Sequence, residues 1–534
     1  MTRERLYLFD TTLRDGAQTP GVDFSVEDKI AITGLLDEFG LDYIEGGWPG
    51  ANPTDTAFFE VPRTKHATFT AFGMTKRAGV SASNDPGIAA LMASSASAIC
   101  YVAKAWDLHV RVALGCTNEE NLESIQTSVE AAVQAGKEPL VDCEHFFDGY
   151  KTNPDYAMAC AQTAIDAGAR WVVLCDTNGG SQPAEVRAIV QSVCAHIPGH
   201  KVGIHAHNDT DQAVANSLAA IEAGARQVQG TINGIGERCG NANLVSLIPT
   251  LALKPVYAER FELGIDSEKL KGLTRLSRTF DELLNRAPYS QAPYVGSSAF
   301  ATKAGIHASA LIKDPTTYEH VPPESVGNRR NLMVSDQGGK SNFLDQLARR
   351  GIHVEKSDSK LDTLISLVKE RESQGYAYEA AEASFELLAR RTLGTVPEFF
   401  KIESFRTAVE RRFNAVGDVV TVSEAVVKVD VEGQLLLSVA EGNGPVNALD
   451  RALRKDLGKY QSEIEGLELV DYKVRILNGG TEAITRVLIE SADETGERWW
   501  TVGVSDNIID ASFQALVDSL NYKLVKSGTA GAHS

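Results

Sequence analysis

The sequence predicts an α/β protein: a (β/α)8 TIM barrel with helical connector subdomains, followed by a C-terminal α+β two-fold repeat domain. Three observations carry this reading. Short β-branched or aromatic runs alternate with longer helical patterns through the first part of the chain, the signature of parallel βα units. The tetrapeptide Ala167-Gly168-Ala169-Arg170 returns as Ala223-Gly224-Ala225-Arg226, 56 residues further on, which is the span of two such units. A second repeat, with an offset of 63 residues, lies near the C-terminus.

Eight strand-like runs are placed at 6–9, 43–45, 67–72, 98–103, 139–143, 171–175, 202–205 and 227–232. Eight βα units within roughly 250 residues is the expected size of a closed barrel. A doubly wound open sheet is the alternative, although no G-x-G-x-x-G follows the first strand. The glycine of each repeated tetrapeptide suits the left-handed position that ends a helix before a strand. Beyond the barrel, 297–327 is rich in small residues, Pro and Gly, and helical patterns follow at 341–350, 359–371 and 378–391.

Longer alternating strands then appear, including 425–431 and 485–490. Asn443, Val446, Asn447, Ala448, Ala452 and Leu453 match Asp506, Ile509, Asp510, Ala511, Ala515 and Leu516. Each half therefore carries strands, a polar turn and an amphipathic helix. The expected domains are 1–260 for the barrel, 261–395 for the connector, 396–526 for the repeat and 527–534 for a frayed tail.

Composition narrows the function. The chain of 534 residues has 52 Lys and Arg against 71 Asp and Glu, a formal charge of −19, with 43% hydrophobic residues. That charge argues against a general binder of nucleic acid or anionic membrane, both of which need a basic surface. The seven cysteines are scattered with no C-x-x-C pair, as in a reduced, cytoplasmic protein. No apolar stretch reaches the roughly 18 residues of a spanning helix, and no leader segment is evident.

Three segments carry chemistry. In Gly203-Ile204-His205-Ala206-His207-Asn208-Asp209, at the end of the seventh run, alternation along a strand puts His205 and His207 on one face. At the carboxyl end of a barrel strand that pair suits a divalent metal with a position left open for substrate; a hydrogen-bonded pair of core histidines is the alternative. Asp10-Thr11-Thr12-Leu13-Arg14-Asp15 follows the first run, which in a closed barrel is separated from the seventh only by the eighth, so Asp15 can complete a metal set. Arg14 beside it can grip a carboxylate with two hydrogen bonds and offset oxyanion charge. The glycine-rich Asn233 to Asn243 loop follows the eighth run, and its Asn241 can offer a carbonyl oxygen; a flexible barrel loop is the bland alternative.

Together these segments resemble the signatures of the α-isopropylmalate synthase, homocitrate synthase and citramalate synthase family, over nearly the whole chain. The resemblance implies a metal-containing TIM barrel that joins acetyl-CoA to a 2-oxo acid, and a C-terminal regulatory domain that binds an end-product amino acid. By that resemblance Asp15, His205 and His207 are ligands of a divalent ion (Mg, Mn or Zn), with Asn241 a direct or second-sphere partner. Arg14 stabilises the oxo acid and enolate, Glu144 is an active-site glutamate, and Thr177 contacts substrate. His307 and Tyr318 match the catalytic histidine and tyrosine of the connector, which in the family reach into the neighbouring subunit of a homodimer.

Two departures bear on the substrate. Ala17 replaces the glutamate usual in isopropylmalate synthases, and the segment from Glu45 to Pro53, with Trp48, also differs. Both resemble a long-chain citramalate synthase branch, whose oxo acid is pyruvate and whose pathway leads to isoleucine, the expected effector. Trp48 is a candidate for bulk near the substrate side chain or a buried structural residue. Lys303, Lys313, Arg329, Arg330 and Lys340 are candidates for the negative charges of CoA. The other readings are synthesis of isopropylmalate or homocitrate, a carbon–carbon lyase on the same barrel, a metal-dependent hydrolase, and a non-enzymatic amino-acid sensor.

Overall fold

The computed structural model describes residues 3–333, 339–413, 415–477 and 483–531. Eight parallel strands close into a barrel in chain order. They are β1 (Tyr7–Asp10), β2 (Tyr43–Glu45), β3 (Thr68–Met74), β4 (Ala98–Lys104), β5 (Glu138–Glu144), β6 (Trp171–Asp176), β7 (Val202–Ala206) and β8 (Gln227–Gly230). β1 pairs with both β2 and β8, which closes the ring.

Each strand is followed by a helix: α1 (Val26–Phe39), α2 (Pro53–Phe58), α3 (Pro86–Ala93), α4 (Asn118–Gln134), α5 (Pro154–Asp166), α6 (Pro183–Cys194), α7 (Ala213–Ala223) and α8 (Leu244–Leu253). The strands read as continuous apolar runs because both faces are covered. Phe9, Tyr43, Ala98, Cys100, Leu140, Trp171, Val173 and Cys175 fill the interior, while Leu8, Ile44, Val172, Leu174 and Ile204 face the helices. Gly168 and Gly224, the glycines of the repeated tetrapeptide, have φ of 108° and 129°, the left-handed side that glycine alone takes without strain.

The predicted eighth run ends earlier than expected. At Gly230 a Cβ would fall 2.3 Å from the carbonyl of Ala242, and the chain then turns through a 3₁₀ segment at Ile232–Gly234.

The chain divides into two compact units, Met1–Phe300 with His320–Arg330, and Ala301–Glu319 with Asn331–Ser534. In the first, Glu4–Arg5 pairs in parallel with Phe261–Glu262. The second contains α9 (Gly305–Lys313), α10 (Lys340–Arg349), α11 (Ser359–Ser373) and α12 (Glu382–Leu393), then two three-stranded antiparallel sheets. One sheet is β9 (Lys401–Phe413), β10 (Val419–Val431) and β11 (Gln434–Gly442) with α13 (Pro445–Lys455); the other is β12 (Glu468–Ile476), β13 (Thr485–Ala492) and β14 (Arg498–Ser505) with α14 (Ile508–Lys526).

The repeat seen in the sequence is this βββα unit. Ala448, Ala452 and Leu453 of α13 and their counterparts Ala511, Ala515 and Leu516 of α14 are all buried in one shared core. Of the predicted tail, residues 532–534 lie outside the described residues.

Candidate active site

The barrel mouth is shaped first by the turn after β1. Asp10 accepts from the backbone N–H and hydroxyl of Thr12 at 3.0 and 2.7 Å. The Thr11 carbonyl accepts from the N–H groups of Arg14, Asp15 and Gly16. This tight turn sets Arg14 and Asp15 at the carboxyl end of the strands, where barrel sites are built. His205 lies on β7 and His207 one residue beyond its end, so the predicted alternation holds past the strand.

Asp15, His205 and His207 converge, all nearly fully buried. Asp15 Oδ2 lies 3.6 Å from His205 Nε2 and 3.9 Å from His207 Nε2. The two Nε2 atoms are 3.3 Å apart. Asn241 donates from Nδ2 to Asp15 Oδ1 at 2.8 Å, and its Oδ1 has no partner among the described residues. The glycine-rich loop makes this approach possible. Gly236 has φ of 156°, and a Cβ there would fall 2.1 Å from Asn241 Nδ2.

Electrostatics fix the protonation states. Burial pushes the His205 pKa down to about 4, helped by the neighbouring His207, and burial also lowers that of His207. Both rings are therefore neutral near pH 7. Gln229 donates from Nε2 to Asp142 at 3.0 Å, which leaves its Oε1 to accept from His205 Nδ1 at 2.9 Å. His205 then carries its proton on Nδ1 and presents a lone pair on Nε2. Burial opposes ionisation of Asp15, but Arg14 and the two histidines outweigh it and hold the carboxyl well below the usual range.

A carboxylate and two neutral imidazoles, with an unpartnered amide oxygen at hand, form a donor set suited to a divalent cation. Nitrogen donors lie about 2.0–2.1 Å from such an ion, so two atoms 3.3 Å apart can share one.

Arg14 sits between two acids, donating from Nε to Glu45 Oε2 at 2.7 Å and from Nη1 to Asp15 Oδ2 at 2.9 Å. Thr11 donates its hydroxyl to the same Glu45 oxygen at 2.6 Å. The guanidinium centre lies 4.0 Å from the centroid of the Phe72 ring, which packs edge-on against Trp48 at 5.5 Å. Burial disfavours its charge, yet Glu45 and Asp15 keep it firmly protonated.

A cavity of about 660 Å³ opens here, lined by Arg14, Asp15, Ala17, Trp48, Phe72, Glu144, Thr177 and both histidines. Glu144, at the end of β5, pairs with Lys104 at the end of β4. Thr177, just past β6, accepts on its hydroxyl oxygen from the His145 N–H at 2.8 Å.

His307 on α9 and Tyr318 belong to the second unit. Their rings stack with centroids 4.3 Å apart, and both side chains are exposed. Of the basic residues considered for CoA, Lys303 pairs with Glu379 and Lys340 with Asp362.

Sequence reasoning missed four polar members of the barrel site. Glu45, at the end of a strand, had a positional signal. Gln229 and Asp142 had none, because an amide or acid inside a strand reads as an ordinary barrel residue. Arg238, with φ of 55°, donates to both oxygens of Asp209 and to the Thr177 carbonyl, tying three loops of the mouth together.

Comparison with known proteins agrees with this architecture. Residues 5–276 match the HMGL-like family, 294–375 the homocitrate synthase post-HMGL domain-like family, and 379–524 the LeuA allosteric (dimerisation) domain. The chain is 49% identical to an (R)-citramalate synthase of Aquifex aeolicus, covering 99% of both chains. It is 48% identical to one of Streptomyces coelicolor, covering 99% of this chain and 98% of that one. A third, from Geobacter sulfurreducens, is 49% identical over 97% of this chain and 98% of its own. With identity of this level running the length of every domain, the chain belongs to the (R)-citramalate synthase family.

Proposed function

We propose that the protein condenses acetyl-CoA with pyruvate, releasing (R)-citramalate and CoA, as a cytoplasmic enzyme of isoleucine biosynthesis. The observation that carries this is end-to-end identity to several (R)-citramalate synthases in a chain whose barrel mouth gathers Arg14, Asp15, His205 and His207.

Asp15, His205 and His207 hold the divalent ion, Mg, Mn or Zn, with Asn241 steadying Asp15 or offering its free oxygen. When bound, that ion polarises the keto carbonyl of pyruvate. Arg14 grips the pyruvate carboxylate, its direction set by Glu45. Thr177 receives the His145 N–H on its oxygen and lines the cavity, so its own hydroxyl hydrogen is available to donate to substrate. Trp48 and Phe72 wall the space left for the methyl group.

His307 takes a proton from the methyl of acetyl-CoA, with Tyr318 against its ring, histidine being the side chain most often used as a general base. The enolate carbon then bonds to the keto carbon, and the carbonyl oxygen is protonated to give citramalyl-CoA. Glu144, held by Lys104, faces this centre. Water cleaves the thioester, releasing CoA and making the sequence irreversible. The exposure of the His307–Tyr318 pair supports a homodimer in which it completes the partner's barrel.

The second unit supplies regulation. Between α13 and β12, where the two repeat halves meet, Asn447, Asp450, Arg451, Arg454 and Tyr472 line a cleft of about 780 Å³. Its paired charges suit the ammonium and carboxylate of an amino acid such as isoleucine. The test of the reaction is thiol release from acetyl-CoA against a panel of 2-oxo acids. Release that requires pyruvate and a divalent metal supports the reading; preference for 2-oxoisovalerate moves it to isopropylmalate synthesis.

A further inference from the structure

Lys29 is a lysine where a lysine is unexpected. It lies on α1 with 4% of its surface exposed, in register with the buried Ile32 and Leu36 at three and seven residues further on. A buried ammonium is costly unless every N–H finds an acceptor. Lys29 has three: the carbonyl of Leu13 at 3.1 Å, the carbonyl of Gly46 at 2.8 Å, and the carboxylate of Asp55 on α2.

Leu13 and Asp55 line the cavity, as Lys29 itself does, and Gly46 lies in the loop between Glu45 and the lining residue Trp48. Leu13 directly precedes Arg14. Gly46 directly follows Glu45, the acid that aims the Arg14 guanidinium. Asp55 accepts in turn from the backbone N–H of Trp48 at 2.8 Å and from the Asn52 side chain at 3.1 Å. Gly47 is shaped for this contact: its φ is 137°, and a Cβ would fall 2.6 Å from the Asp55 carboxyl carbon.

We propose that Lys29 is a positioning residue for substrate selection: with Asp55 it braces the loops after β1 and β2, and so sets the separation between Arg14 and the Trp48 wall. That separation is the room left for the alkyl group of a 2-oxo acid whose carboxylate is held by Arg14. The inference rests on the reading of Arg14 and Trp48 given above and adds the element that fixes their spacing. Nothing covalent happens at Lys29. Its function is geometric, and in a site where a displacement of about 1 Å costs on the order of a hundredfold in rate, geometry controls selectivity.

The test compares the ratio of kcat/KM for pyruvate to that for 2-oxobutyrate in the full-length, metal-loaded enzyme. Lys29→Met with Asp55→Asn removes both charges together, so that no buried ion is stranded. The expected result is a folded protein, by circular dichroism, whose ratio falls roughly tenfold or more, through a raised pyruvate KM with little change in the acetyl-CoA KM. Asp55→Glu, which keeps the pair charged but lengthens the brace by one methylene, is the second variant if the double one does not fold, and it is expected to move the ratio in the same direction.

Trp48→Ala is the control for the underlying reading and is expected to relax selectivity by itself. If Trp48→Ala relaxes selectivity while the brace variants keep the wild-type ratio within twofold, the brace is refuted and the pocket stands. If Trp48→Ala leaves the ratio unchanged, the pocket reading fails, and the brace fails with it.

Discussion

Glu45→Gln probes the Arg14 cradle without changing its shape. Glu45 is fully buried, and a single oxygen, Oε2, receives both Arg14 Nε and the Thr11 hydroxyl. The amide keeps an acceptor there but removes the charge beside a buried guanidinium, whose remaining acid is Asp15 at 2.9 Å. A hydrogen bond to a charged group is worth about 1.5–3 kcal/mol. If that loss is felt at Arg14 in the transition state, kcat/KM for pyruvate falls roughly 10- to 150-fold at 1.36 kcal/mol per decade.

The same change acts on stability. Burial, together with the Glu45 charge, raises Asp10 to about 7 and also raises Asp142. A carboxyl whose folded pKa stands above its unfolded value, near 3.9, contributes stability at low pH that is lost as pH rises through about 7. With the Glu45 charge gone this loss is smaller, so the variant's urea midpoint depends less on pH between about 4 and 7. Steady-state CoA release at varied pyruvate and urea unfolding at several pH values measure both effects. A folded variant with kcat/KM for pyruvate within threefold of wild type would refute the cradle.

Three other outcomes are expected. Asp37, on α1, accepts the backbone N–H groups of Lys65, His66 and Ala67; although burial opposes ionisation, these bonds hold its carboxyl below the ordinary range. Its contribution is present above the unfolded carboxylate pKa and lost as pH falls through the folded one, and Asp37→Asn destabilises by about 1.5–3 kcal/mol at pH 7, read from chemical unfolding. His307→Ala lowers kcat by roughly 10²- to 10⁴-fold with the pyruvate KM little changed, and full turnover would remove its assignment as base. Asp450→Ala tests the proposed effector cleft: with isoleucine as the effector tried, the concentration for half-inhibition is expected to rise roughly tenfold for loss of one charge-assisted bond, while an unchanged inhibition curve would place the effector elsewhere.

The fold was legible where one residue pattern had one physical cause. Apolar runs buried on both faces gave the eight strands, and left-handed glycines marked where helices give way to β6 and β8. The 63-residue echo survives because α13 and α14 bury equivalent alanines and leucines in a shared core. The convergence of Asp15, His205 and His207 was legible because alternation puts residues 205 and 207 on one face and barrel closure brings the turn after β1 near the end of β7.

What escaped was the supporting layer. Gln229 fixes the His205 tautomer, but a glutamine on a strand has no spacing of its own. Lys29 follows Val26, Glu27 and Asp28 and reads as a solvated first turn; only its alignment with Ile32 and Leu36 betrays that it faces inward. Strand ends shifted by at most two residues, because the turns after β3 and β8 depend on loop contacts that lie far off in sequence.

A single cation held at the mouth of the barrel is central to the proposed reaction. Diffraction from crystals soaked in Mn²⁺, recorded for anomalous signal, should show one peak per chain bounded by Asp15 Oδ2, His205 Nε2 and His207 Nε2, and no such peak in His205→Ala. A fully active enzyme with no peak there, or with its only peak outside the barrel, would contradict it.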